Sequence, residues 1–280
     1  MHSMAAPNAR KLNQLERDLP EGMIVDAAWL TRRGYSTSLR SQYVKSGWLQ
    51  QPTRGVYRRP HGELDWQLAV LSIQMLLRIP LVIGGPTAIE LQGRGHYARS
   101  IREVHLYGPE PPPGWLYKLG LGVAFRFHNS GKLFANAPIT RALTHVELDL
   151  RSRKVRSADP IHGGLTTHPL GHWQWPLTLS TLERAFLELL DELPEHETFH
   201  QADVIMEGLS DLSPRRLQKL LEDCRSIKVK RLFFFFASRH GHAWLKHVDR
   251  SRIDLGRGKR QLVKGGRFDA AHGITVPESF

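Results

Sequence analysis

Ser36-Thr37-Ser38-Leu39-Arg40-Ser41-Gln42-Tyr43-Val44-Lys45-Ser46-Gly47-Trp48-Leu49, continuing Gln50-Gln51-Pro52-Thr53-Arg54-Gly55-Val56-Tyr57-Arg58, decides how the first part of the chain reads. Three hydroxyl residues in a row offer an N-cap, and Gly47 offers a stop, so a helix is predicted between them. Trp48-Leu49-Gln50-Gln51 reads as a short strand. Pro52-Thr53-Arg54-Gly55 reads as a turn, and Val56-Tyr57-Arg58 as the returning strand. Upstream, Asp26 can cap a helix that uses Ala27, Ala28 and Leu30 and stops near Gly34. Before it, residues 8–20 carry Leu12, Leu15 and Leu19 at helical spacing, ended by Pro20 and Gly22. Helix, helix–turn–helix, then a hairpin with Arg54 at its tip is the order of a winged helix-turn-helix.

In that motif the second helix of the pair enters the major groove by its N-terminal end. If Leu39 and Tyr43 face the core, then Ser36, Thr37, Ser38, Arg40, Ser41 and Lys45 are the candidate DNA-contacting residues. Arginine can pair bidentately with guanine, and Ser or Thr can contact several bases. Arg54, Arg58 and Arg59, on or after the wing, can hold phosphate or enter the minor groove. The competing reading is a solvated helix surface on a protein-interaction module.

Charge favours DNA. The 280 residues carry 39 Lys and Arg against 27 Asp and Glu, a formal net of +12. Residues 1–60 hold ten basic against four acidic side chains, residues 180–223 four against eleven, and residues 225–267 thirteen against two. Two basic blocks flank an acidic helical region, and clustered Lys and Arg attract phosphate backbones through counterion release. Plain solubility is the alternative. Hydrophobic residues at 41% and charged at 24% are ordinary for a globular chain of about two domains. The expected division is residues 1–60 and residues 61–280, the latter divisible at 179/180. One cysteine, Cys224, leaves no disulfide scaffold or CxxC zinc site, and fits a reduced, cytoplasmic setting. No secretory h-region is visible. No run reaches membrane-spanning length; the apolar stretch Leu76–Ile83 is broken by Arg78 and Pro80.

Beyond residue 60, a mixed α/β region is expected. Leu64–Leu77 reads as an apolar helix, and Leu81-Val82-Ile83, Val104–Tyr107 and Val123–Phe127 read as strands. Gly84-Gly85-Pro86 reads as a tight strand-to-helix turn rather than a nucleotide loop, since neither GxGxxG nor GxxxxGK[ST] occurs. Glu183–Leu193 is an amphipathic helix, and Ser213-Pro214 starts another. Lys228–Arg239, with four consecutive phenylalanines, is balanced between strand propensity and buried helix, and is taken as helix. The Gly-rich tail 258–276 reads as a hairpin.

Chemistry-bearing motifs are few. His162, His168 and His172 form one loose group and His240, His242 and His247 another, neither with zincin spacing, so no metal and no cofactor are expected. No serine sits in G-x-S-x-G. Glu222 and Asp223 precede Cys224 and would raise its thiol pKa, so a structural thiol is expected. The basic run 225–267 reads as a second nucleic-acid surface, a dock for an acidic partner, or a solvated edge.

Residues 31–58 resemble the N-terminal winged helix of AbiEi-type antitoxins, through Thr31-Arg32-Arg33-Gly34-Tyr35, Ser38–Leu49 and Arg54-Gly55-Val56-Tyr57. Ile83-Gly84-Gly85-Pro86-Thr87-Ala88 and Leu182-Glu183-Arg184-Ala185 are similar to that family. So are Cys224–Leu232, Arg252–Gly256 with Gly258–Val263, and Gly273–Pro277, the C-terminal blocks being the specific part. The resemblance spans about residues 8–277. It implies a type IV toxin–antitoxin system of phage abortive infection. It further implies an autorepressor that binds inverted repeats in its own promoter through the winged helix. The C-terminal domain would counteract a nucleotidyltransferase-like toxin, directly or indirectly. No catalytic motif carries over, so an enzyme is not expected. Lys228, Lys230, Arg231, Lys259 and Arg260 are the candidate antitoxicity surface. A stand-alone winged-helix regulator is the main rival, and a nucleic-acid-processing enzyme the lesser one.

Overall fold

The computed structural model describes residues 5–60, 62–95, 101–136, 139, 146–149, 154–157 and 164–280; His162 lies outside them. The chain opens with helix α1 (Ala5–Asp18), strand β1 (Ile24–Asp26), helices α2 (Ala27–Arg32) and α3 (Thr37–Lys45), and strands β2 (Gln50–Thr53) and β3 (Val56–Arg58). The Asp26 carboxylate caps α2 by accepting the Trp29 N–H at 2.7 Å. The Ser36 hydroxyl caps α3 by accepting the Leu39 N–H at 3.2 Å. Each satisfies an amide that the helix itself cannot. β1, β3 and β2 form one antiparallel sheet, in that order. β2 starts two residues later than expected and contains Pro52, which its edge position tolerates. Gly55 closes the wing at φ 77°, where a side chain would be strained. The first part of the chain is a winged helix-turn-helix.

Helix α4 (Trp66–Met75) ties this unit to the rest. Its Ser72 hydroxyl accepts the Ile24 N–H at 3.0 Å, and the Trp29 indole donates to the Leu76 carbonyl at 3.0 Å. On the other side, Gln74 donates to the carbonyls of Leu81 and Thr178 and accepts the Thr178 N–H. The expected boundary at residue 60 falls just before a helix that packs on both parts, and one apolar core runs continuously through them.

The second part centres on a mixed sheet with, among the described residues, the strand order β6-β5-β4-β10-β9. These strands are β4 (Val82–Ile83), β5 (Glu103–Gly108), β6 (Ala124–Asn129), β9 (Leu165–Leu170) and β10 (Trp175–Ser180). β5 and β6 run parallel, as do β4 and β10; β4–β5 and β9–β10 are antiparallel. Helix α5 (Gly85–Leu91) follows β4 through the Gly84-Gly85 turn. A Cβ on Gly84 would collide with the Glu188 carboxylate and the Tyr107 ring, so the turn requires glycine. A short helix α6 (Ser130–Leu133) follows β6, and β7 (Val146–Asp149) pairs with β8 (Lys154–Ser157).

Among the described residues, the further α-helices are α7 (Leu182–Asp191), α8 (Phe199–Gly208), α9 (Pro214–Asp223) and α10 (Ile227–His240). In α7 a fully buried pair, Arg184 Nε to Glu188 Oε1 at 2.8 Å, is completed by the Gly85 N–H donating to Glu188 Oε2 at 2.9 Å. That ties α7 to the start of α5. The four phenylalanines sit in helix α10 and are buried, and Gly241 ends it in the left-handed conformation, φ 61°. The tail is a hairpin, β11 (Arg267–Asp269) and β12 (Ile274–Val276).

Candidate nucleic-acid interface

α3 turns Leu39 and Tyr43 inward, as its spacing predicts, and presents Thr37, Ser38, Ser41, Gln42 and Lys45 to solvent. Arg54 is exposed at the wing tip. The Ser36 and Thr37 hydroxyls are already engaged, Ser36 with Leu39 N and Thr37 with Arg40. Arg58 Nε donates to Gln50 Oε1 at 2.7 Å across the hairpin, and Arg59 is drawn back to Glu16 and Glu21 near α1. The open face is therefore Ser41, Gln42 and Lys45 beside Arg54, with Ser38 exposed and its hydroxyl 3.0 Å from that of Ser36. Gln42, whose amide can pair with adenine, was not among the residues that the sequence singled out.

Arg40 does not stand on that face. Its side chain is 7% exposed. Its guanidinium donates to the Ala27 carbonyl at 2.8 Å, Thr31 Oγ1 at 2.7 Å and Thr37 Oγ1 at 2.9 Å. The reason is the helical position. Arg40 lies one turn after Ser36 and one turn before Tyr43, on the flank of α3 that meets α2. Three oxygens converge on its two terminal nitrogens there, while Nε is buried without a partner.

The candidate antitoxicity residues divide in the same way. Lys230 and Arg231 are buried, because α10 places them against the tail. Lys230 Nζ donates to the Asp254 carbonyl, and Arg231 donates to the carbonyls of Leu255, Gly258 and Gly273. They fasten the tail rather than form a surface. Lys228 reaches back to the Asp191 and Leu193 carbonyls at the end of α7. Lys259 and Arg260 are exposed, with Lys259 Nζ 4.8 Å from the centre of the Phe268 ring.

One polar cluster escaped the sequence reading. β5 and β6 pair Tyr107 with His128 and His105 with Arg126, so His105 and His128 are diagonal neighbours. His105 Nδ1 lies 3.0 Å from His128 Nε2. His128 Nδ1 lies 3.2 Å from a carboxylate oxygen of Glu192, just past α7, and His105 Nε2 lies 3.5 Å from Glu103. The Tyr107 ring stacks on His128 at 4.5 Å. Burial holds both imidazoles down at about 4, so they are neutral at ordinary pH. Burial, then Glu192, Glu90 and Glu103, push the neighbouring Glu197 up to about 7. Twenty-three residues separate the two histidines and sixty-four separate His128 from Glu192, so only the sheet and α7 bring them together.

Two of the histidines noted in the sequence have other partners. His240 bonds Asp203 at 2.9 Å, and His242 bonds the Met206 carbonyl. Cys224 is buried, which pushes its thiol up to about 11, a structural thiol as expected.

Residues 8–100 match the family model for the N-terminal domain of the AbiEi antitoxin transcriptional regulator, and residues 102–277 match that for the AbiEi antitoxin transcriptional regulator of type IV toxin–antitoxin systems. Among curated proteins no relative matches the chain. Among solved structures, the crystal structure of the RV2827C protein from Mycobacterium tuberculosis has the same fold. Its TM-score is 0.55 at 16% identity, over 98% of this chain and 92% of that one. Among the described residues no helix is long and apolar enough to cross a membrane. With the two models spanning nearly all of its length, the chain belongs to the AbiEi family of antitoxin transcriptional regulators of type IV toxin–antitoxin systems.

Proposed function

We propose that this protein binds inverted repeats in double-stranded DNA upstream of its own gene and represses that operon. Its second part counteracts a nucleotidyltransferase-like toxin encoded beside it, acting by binding rather than catalysis. The observation that carries the DNA reading is the exposed polar row Ser38, Ser41, Gln42 and Lys45 on α3, beside Arg54 at the wing tip. A helix with that face fits the major groove, and the wing arginine reaches the adjoining backbone or minor groove. For the second part, the exposed Lys259 and Arg260, with Arg257 nearby, are the candidate antitoxicity surface. Fluorescence anisotropy with the upstream DNA against a scrambled duplex of equal length, at fixed salt, tests the first half. Equal affinity for the two duplexes refutes it. Growth rescue on co-expression with the neighbouring toxin gene tests the second half.

A further inference from the structure

The row Glu103–His105–His128–Glu192 sets imidazole nitrogens and carboxylate oxygens in line. His105 Nδ1 faces His128 Nε2 at 3.0 Å, His128 Nδ1 lies 3.2 Å from Glu192, and His105 Nε2 lies 3.5 Å from Glu103. The facing nitrogens are shielded from water, His105 being 4% exposed and Glu192 9%, while Glu103 at the outer end is 40% exposed and pairs with Arg126 at 3.1 Å. Two imidazole nitrogens held this close beside a buried carboxylate have the makings of a cation site.

We propose that His105, His128 and Glu192 are the protein ligands of a divalent first-row transition ion, zinc by the chemistry of the donor set. Two imidazoles and a carboxylate are borderline N/O donors, which suit zinc and its neighbours rather than magnesium or calcium. One donor atom from each residue lies within 4.8 Å of the others. Donors at about 2.1 Å from one ion stand roughly 3–4 Å apart. The two nitrogens at 3.0 Å already meet that spacing, and a turn of the Glu192 side chain closes the set.

The surroundings match a metal site in two further ways. Each imidazole has a carboxylate at its outer nitrogen, Glu103 for His105 and Glu192 for His128. Carboxylates in that position fix the tautomer and raise ligand basicity; Glu103 keeps this role when Glu192 turns inward. The Tyr107 ring holds the His128 plane, and Thr87 Oγ1 accepts the His105 N–H at 3.0 Å, fixing the strand behind it.

The test is equilibrium dialysis of the chelator-stripped full chain against Zn²⁺, with metal counted by mass spectrometry. One tight equivalent is expected, falling at least tenfold in affinity in Glu192→Gln and in His128→Gln. Binding that survives both substitutions places the ion elsewhere among the fifteen histidines and overturns the proposal. A folded wild-type chain that takes up no stoichiometric zinc does the same. A second measurement needs no variant. Zn²⁺ should slow carbethoxylation of His128, read by peptide mass mapping, while exposed His247 reacts as before; equal rates at His128 with and without the ion overturn it.

Discussion

The Arg40 guanidinium donates to the Ala27 carbonyl at 2.8 Å and so fastens the second helix of the helix-turn-helix to the first turn of its partner. The same group bonds Thr31 and Thr37, and lies 5.8 Å from the centre of the Tyr57 ring on the returning wing strand. One side chain thus holds α2, α3 and the wing in a fixed relation, which is what a reading head needs. Arg40→Ala should lower stability by about 1–3 kcal/mol, the usual loss for charge-assisted hydrogen bonds. Urea denaturation followed by tryptophan fluorescence measures it, since Trp29 is buried in the same unit. An unchanged midpoint together with lost DNA binding would return Arg40 to the reading surface.

The basic surplus of residues 1–60 shrinks once the fold is known. Arg40 is buried, Arg59 is paired with acids, and the Arg33 guanidinium lies 3.7 Å from the centre of the Trp29 ring. Among the cations of α2, α3 and the wing, Arg32, Lys45 and Arg54 remain exposed. About three phosphate contacts predict a slope of log affinity against log salt near about −3 per winged helix. Arg54→Ala should reduce the magnitude of that slope by about 1 on any duplex. A slope indifferent to Arg54 would take the wing off the DNA.

The winged helix was legible because its signals are local. Caps at Asp26 and Ser36, stops at Gly34 and Gly47 and the Arg54-Gly55 turn each act within a few residues. The Phe233–Phe236 stretch was decided correctly as helix by its length and flanking charges, against its strand propensity. The burial of Arg40, Lys230 and Arg231 was not legible. A charged residue on a periodic helix reads as exposed unless its carbonyl partners are known, and those of Arg231 lie 24 to 42 residues away. The His105–His128–Glu192 cluster was hidden for the same reason. Its members share no short motif, and the order of β5 and β6 had to be known first.

Lys259 and Arg260 are now distinguishable from their buried neighbours. The paired reversal Lys259→Glu with Arg260→Glu should leave the melting temperature and operator affinity nearly unchanged while reducing rescue from the toxin. Arg231→Ala should instead lower the melting temperature, because it releases three carbonyls of the tail. A growth assay with induced toxin, beside a thermal melt, separates the two. If the reversal leaves rescue intact, the antitoxic surface lies elsewhere.

Cys224 offers a check on the core. Its thiol is pushed to about 11 by burial, so almost no thiolate is present at pH 8. Iodoacetamide at that pH should leave the folded chain unlabelled and label it once it is unfolded in guanidinium. Rapid labelling of the native protein would mean that the junction of α9 and α10 opens readily.

The division of labour between the two parts is the remaining prediction, and α4 sets its terms. A chain starting at residue 61 keeps α4, but loses the Ile24 amide that Ser72 accepts and the Trp29 indole that bonds Leu76. It also uncovers the apolar face of α4 that meets β1. The Gln74 contacts to Leu81 and Thr178, and the five-stranded sheet, stay intact. The shortened chain should therefore fold with a lower melting temperature, while still rescuing growth from the toxin. Because lost stability can mimic lost function, Arg54→Ala in the full chain is the companion. It leaves α4 covered, and should weaken operator binding without touching rescue. Should the shortened chain fold and fail, and Arg54→Ala also fail to rescue, then reading DNA and restraining the toxin are one activity. Should the shortened chain alone fail, the winged helix contributes to antitoxicity by its packing on α4, and the separable unit begins beyond that helix.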